Sequence, residues 1–118
     1  MKKILSVVGT RPEAIKMAPV IEAIKKENNL DIKICSTSQH KIMLNQVFNL
    51  FDIQSDFDLK IMSPNQSLNQ ISSKIIKGLD KVFSVYKPDL VLVHGDTSTT
   101  FSSTLSAFHN KIKVGHVE

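Results

Sequence analysis

Three short apolar runs, each opening into glycine and then ionisable or hydroxyl residues, restrict this chain to few folds. They are Ile4-Leu5-Ser6-Val7-Val8 into Gly9-Thr10-Arg11-Pro12-Glu13, Leu90-Val91-Leu92-Val93 into His94-Gly95-Asp96-Thr97, and Ile112-Lys113-Val114 into Gly115-His116-Val117-Glu118. Continuous Val/Ile/Leu runs mark parallel strands buried on both faces, and open α/β sheets bind ligands at the carboxyl ends of such strands. Gly9, Gly95 and Gly115 are therefore expected where the backbone turns sharply or approaches a ligand closely, whereas Gly78 lies inside a helical pattern.

Between the runs the apolar spacing alternates between two periods. After Pro12, which suits a helix's first turn, Ala14, Ile15, Met17, Ala18, Ile21 and Ile24 predict a helix reaching Lys25-Lys26, with Pro19 expected to kink it. A second strand is predicted over Asp31 to Thr37, an amphipathic helix over Ile42 to Phe51, and a brief strand near Phe57 and Leu59. Leu68, Ile71, Ile75, Leu79, Val82 and Phe83 step by three and four, and this helix ends before Lys87-Pro88 because the residue preceding proline disfavours the helical region. Thr97 to His109 predicts a last helix with Phe101, Leu105 and Phe108 on its apolar face and hydroxyls near its start. Strands alternating with helices call for one α/β domain over residues 1–118, with a doubly wound, mostly parallel sheet.

Composition removes several functional classes. The net charge of +4 is spread over scattered lysines, without the clustered arginines or interleaved aromatics of a nucleic-acid groove, so no nucleic-acid partner is expected. The single cysteine, Cys35, sits within a strand pattern, which precludes an internal disulfide or a cysteine-based metal site and fits a reducing cytoplasm. Lys2-Lys3 precedes an apolar run of only five residues, shorter than the roughly 7 to 15 of a secretory leader, and no stretch approaches membrane-spanning length, so no membrane partner is expected. The four histidines match no metal-ligand spacing, and His94 and His116 read as sheet-end packing; no metal is expected. Neither G-x-x-x-x-G-K-[ST], G-x-G-x-x-G after the first strand, nor G-x-S-x-G occurs, so a P-loop, a nicotinamide fingerprint and a nucleophile elbow are unsupported.

The strand ends supply the candidates. Arg11 is the only arginine and opens a helix, where a guanidinium can grip a phosphate bidentately beside free amides; Lys16 offers a second cation. The plainer reading is an arginine covering the sheet end and a lysine on a solvated face. Asp96 follows an all-apolar strand and is expected in the crevice, where burial and cations tune a carboxylate for proton transfer; the competing reading makes it the N-cap of the next helix. Glu118 ends the third run and offers a second carboxylate to the same ligand, against the ordinary fraying of a terminal residue.

Gly9 to Lys16, Val93 to Thr97 and Val114 to Glu118, together with Ser38-Gln39-His40-Lys41-Ile42-Met43-Leu44, resemble the bacterial non-hydrolysing UDP-N-acetylglucosamine 2-epimerases over the whole chain in one register. Pro12-Glu13 after Gly-Thr-Arg favours the non-hydrolysing branch. The resemblance implies the Rossmann-like N-terminal half of a two-domain GT-B-type enzyme, incomplete at residue 118, with the second domain and its nucleotide-binding residues absent. It implies C2 inversion through anti elimination of UDP to a 2-acetamidoglucal and re-addition on the other face, with no cofactor. Asp96 and Glu118 match the family's acid/base and substrate-contacting positions, and Arg11 and Lys16 its substrate-contacting cations. Gln39, His40 and Gln66 fall in segments matching a regulatory UDP-sugar site, although Asn65 stands where an arginine is usual. A homodimer in the cytoplasm, a UDP-sugar substrate and an isolated fragment without turnover follow as expectations. An epimerase for another UDP-amino sugar and a non-catalytic nucleotide-sugar module are the alternatives.

Overall fold

The computed structural model describes residues 1–37 and 41–118. Among the described residues, five strands and four helices alternate: β1 (Lys2–Val8), α1 (Arg11–Lys25), β2 (Leu30–Ser36), α2 (Lys41–Leu50), β3 (Phe57–Asp58), α3 (Leu68–Tyr86), β4 (Leu90–His94), α4 (Ser98–His109) and β5 (Lys113–Val117). They form one sheet in the order β3-β2-β1-β4-β5, and every pairing is parallel.

The central position of β1 explains its composition. Ile4 pairs with Ile32 and Leu90, and Ser6 with Ile34 and Leu92, so neighbours occupy both edges while helices cover both faces. Alternate residues then enter two separate cores. Ile4 and Val8 join Ile34 and Leu92 beneath Met17, Ile21, Leu44 and Phe48 of α1 and α2. Leu5 and Val7 join Cys35, Val91 and Val93 beneath Ile75, Leu79 and Phe83 of α3 and Ala107 of α4.

Helix ends are closed locally. Thr10 is the N-cap residue of α1 and Glu13 accepts from its amide, the glutamate half of a capping box, while Pro12 occupies the first turn, where no amide is required. Ser67 and Gln70 form a second box at the start of α3, which ends on Lys87 in the left-handed region before Pro88. Helix α1 runs through Pro19 as one element. Pro19 and Ile15, whose carbonyl loses its i+4 donor to the ring, are both exposed, on the solvent side of the helix.

Two sequence expectations are overturned in the packing. Helix α4 buries Thr99, Thr100, Ser102, Ser103, Ser106 and Ala107, whereas Phe101 and Phe108 remain 65% and 73% exposed. Close packing of α4 against α3 and β1 favours small side chains on the inner face, so this stripe outcompetes the aromatic one. Gly115 lies within β5 rather than at its exit, paired with Leu92, whose side chain a Cβ would meet at 2.8 Å. Its role is packing.

Gly9 is limited by space in the same way. A Cβ there would lie 2.2 Å from Thr99 Oγ1 and 2.4 Å from Thr37 Oγ1, two buried hydroxyls that hydrogen-bond to each other at 3.1 Å. Gly9→Ala is expected to destabilise the fold by about 1–3 kcal/mol through overpacking, read as a lower urea midpoint; an unchanged midpoint contradicts this close approach. Cys35 is fully buried, and burial first, then the Asp58 charge, pushes its thiol up to about 12. Native protein at pH 8 is expected to resist iodoacetamide and react only on unfolding, which mass spectrometry checks; rapid native alkylation contradicts it.

Candidate functional site

The chain moves outward from β1 to β2 and β3, then returns across β1 to place β4 on its other side. Loops leaving β1 and β4 consequently diverge, opening a crevice at their carboxyl ends, the position where open α/β sheets bind ligands. Thr10 and Arg11 border it from β1, Gly95, Asp96 and Thr97 from β4, and Val117 and Glu118 continue the edge from β5. Arg11, Asp96 and Glu118 are thus brought to one edge of the sheet, although 107 residues separate the first from the last.

Arg11 is exposed at the first residue of α1 and makes no ion pair or side-chain hydrogen bond among the described residues. Lys16 is also exposed, but five residues along a helix rotate it by about 140°, so it does not stack above Arg11.

Asp96 departs from one of the two readings of its sequence position, that of a helix cap. It is exposed at the border of the crevice, and the N-cap of α4 is Thr97, whose hydroxyl accepts from the Thr100 amide. One residue decides this difference: Gly95 at φ +76° turns the chain sharply after β4, leaving Asp96 at the tip and Thr97 over the helix. The Asp96 carboxylate is without an ion pair among the described residues and is open to a ligand.

Glu118 is exposed beyond β5, with an oxygen 3.4 Å from His116 Nδ1. His116 Nε2 lies 2.6 Å from the Gly95 carbonyl, which only accepts, so Nε2 carries the proton in that bond. Nδ1 therefore forms an ion pair with Glu118 only when the imidazole is protonated. The Gly95 amide also donates to the Val117 carbonyl at 3.2 Å. These contacts join the end of β5 to the turn bearing Asp96 and give His116 the sheet-end role expected for it.

A more central residue lacked a functional signal in the sequence. Glu13 is 2% exposed; one carboxylate oxygen accepts from the Gly9 and Thr10 amides at 2.8 and 2.9 Å, and the other faces the hydroxyls of Thr97 and Thr100. Thr100 Oγ1 also donates to the His94 carbonyl at 2.6 Å. The Thr10-x-x-Glu13 spacing announces a capping box, but the second oxygen's partners lie more than eighty residues away.

Gln66 holds a different loop. Its amide nitrogen donates to the Ile61 carbonyl at 2.8 Å, and its oxygen accepts from Lys74 Nζ. Gln39 and His40 lie outside the described residues. Beside the crevice, Asp96, Thr97, Thr100, Phe101, Val114 and His116 line a cavity of about 460 Å³. A larger one, about 610 Å³, lies at the β3 edge between Asp58, Leu59, Lys77 and Lys81, away from the three converging strand ends. No described helix is long and apolar enough to cross a membrane.

This arrangement can hold a dianion against a guanidinium while presenting carboxylates to the attached group. The family model for UDP-N-acetylglucosamine 2-epimerase matches residues 22–118. A curated UDP-N-acetylglucosamine 2-epimerase from Neisseria meningitidis serogroup A is 58% identical over 116 residues, covering 98% of this chain and 31% of its own length. The crystal structure of UDP-GlcNAc 2-epimerase from Neisseria meningitidis bound to UDP-GlcNAc superposes with a TM-score of 0.94, at 58% identity and with the same coverage. A Staphylococcus aureus MnaA–UDP structure gives 0.95 at 50% identity, covering all of this chain and 31% of its own. The chain thus spans about a third of the length of these relatives. With most of its residues inside the family model, the chain belongs to the UDP-N-acetylglucosamine 2-epimerase family.

Proposed function

We propose that the complete protein carrying this chain interconverts UDP-N-acetylglucosamine and UDP-N-acetylmannosamine, and that residues 1–118 form an incomplete N-terminal part of a two-domain, GT-B-type enzyme. The observation that carries this reading is the gathering of an unpaired guanidinium and two carboxylates at the β1/β4/β5 edge. The relative solved with UDP-GlcNAc lends the substrate class.

The chemistry accounts for these residue types. A base removes the C2 proton while the C1–O bond breaks, leaving a 2-acetamidoglucal and UDP; UDP then re-adds at C1 as a proton reaches C2 from the opposite face. The departing diphosphate gathers negative charge, which Arg11 and Lys16 offset, and cations positioned before the bond breaks lower the barrier more than water can. Asp96 and Glu118 are assigned to proton transfer and substrate contact. No redox change occurs overall, so no cofactor is required by the stoichiometry. Gln39, His40 and Gln66 are assigned to a regulatory UDP-sugar site, with Asn65 in a place where the family usually has arginine. We place the enzyme in the cytoplasm as a homodimer, with Phe101 and Phe108 of α4 supplying exposed apolar surface for the contact.

The test uses the complete chain in D2O, following both UDP-sugars by NMR. Interconversion with deuterium entering C2 is expected, and Asp96→Asn or Glu118→Gln lowers kcat by about 10²-fold or more without a matching loss of folding. Residues 1–118 alone are expected to give no turnover, since the opposing ligands and water exclusion are missing. Interconversion without deuterium incorporation, or full activity in both carboxylate variants, overturns the proposal.

A further inference from the structure

Two capping-box glutamate or glutamine residues occur among the described residues, and they differ in a way that capping does not explain. At α3 the box residue Gln70 is exposed, and its side-chain oxygen accepts from the Ser67 amide at 2.7 Å. At α1 the box residue Glu13 is 2% exposed, and only one of its oxygens is used for the cap. The other crosses to the β4–α4 turn, where Thr97 donates to it and Thr100 Oγ1 lies at 3.3 Å. No cation pairs with this carboxylate among the described residues. Burying a carboxylate without a cation is costly unless strong donors surround it, and two amides, a hydroxyl and the positive end of α1 meet that need. For capping alone, an exposed glutamine suffices, as α3 demonstrates.

The placement of the two anchor points gives the second oxygen a purpose. Thr10 immediately precedes Arg11, and Thr97 immediately follows Asp96. We infer that Glu13 is a positioning residue for the epimerase reaction: one buried carboxylate, bonded to the Arg11 turn through one oxygen and the Asp96 turn through the other, fixes the distance between them across the crevice. This rests on the proposed function and adds a residue outside its acid/base and cation set. Proton transfer demands a donor and acceptor within about 2.6–3.2 Å, whereas binding is shared with contacts from the rest of the enzyme. Loosening the tie is therefore felt in kcat more than in KM.

The complete enzyme tests this with Glu13→Gln, Thr97→Val, the double variant and Thr97→Ser. Glu13→Gln keeps an oxygen for the Gly9 and Thr10 amides, so the cap survives, while the charged acceptor facing Thr97 becomes an amide NH2 whose only bond to that hydroxyl is the reversed, neutral and weaker one. A fall in kcat of about 10–100-fold is expected, with KM for UDP-GlcNAc moving less than about threefold. Thr97→Val is expected to give a similar fall, and the double variant no more than the larger single one, because both act on the same contact; Thr97→Val also loses the cap acceptor of α4, an effect that the thermal midpoints register. Thr97→Ser, which retains hydroxyl and cap, keeps at least about a third of the parent kcat, on the scale of one hydrogen bond preserved. Thermal midpoints measured alongside identify a merely structural role: kcat per folded molecule would then equal that of the parent, which overturns the inference, as would losses that multiply in the double variant. Should Glu13→Gln not accumulate as folded protein, Thr97→Val and Thr97→Ser carry the comparison with Glu13 intact. A parent that leaves UDP-GlcNAc unchanged overturns the proposed function and this inference together; an active parent whose variants keep kcat overturns this inference alone.

Discussion

Reversal of the winding direction at β1 is the constraint on which the site depends. Because β1 pairs with β2 on one edge and β4 on the other, the chain passes back over it, and the turns after β1 and β4 separate. The same double pairing makes β1 an unbroken apolar run with one serine, since every residue from Ile4 to Val8 is buried. Sequence, burial and crevice follow from one topological fact. Gly9 and Gly115 serve it by letting hydroxyls and Leu92 pack close, and Gly95 turns the chain with a positive φ.

A crevice formed by diverging turns would be poorly defined if each turn were held only by its own helix. Cross-links supply the definition. Glu13 joins the β1 and β4 turns, Thr37 and Thr99 join the β2 exit to α4, and His116 with the Gly95 amide joins β5 to the β4 turn. Each link is a small set of hydrogen bonds, one to three, worth roughly 1 kcal/mol apiece in net stability and about 1.5–3 where the acceptor is a carboxylate. Their greater effect is geometric: they tie the turns to one another, and Arg11 and Asp96, adjacent to the linked residues, are exposed and make no ion pair among the described residues.

Much of this was legible in the residues. Apolar runs identified β1 and β4, three-and-four spacing identified α3, and the Pro88 boundary closed α3 on Lys87. What periodicity could not supply was the choice between two stripes of one helix. In α4 the aromatic stripe looked like the core, but serine, threonine and alanine match the narrow space beside α3 and β1, and local spacing carries no record of that width. Asp96 and Thr97 were likewise adjacent candidates for a single cap, and the positive φ at Gly95 chose between them. Glu13 was hidden by its own local pattern. A capping box accounts for a glutamate at that position completely, so its long-range half needs coordinates to be seen.

The central claim is that a nucleotide diphosphate sits at the β1/β4 switch point, between the Arg11 and Asp96 turns. A crystal structure of the complete chain grown with UDP tests it most directly. The account predicts the diphosphate within hydrogen-bond reach of the Arg11 guanidinium, with the Asp96 and Glu118 carboxylates facing the volume beyond its terminal phosphorus. Diphosphate seated in the larger cavity beside β3, or Arg11 and Asp96 turned to opposite faces of the sheet with ligand bound, would contradict it.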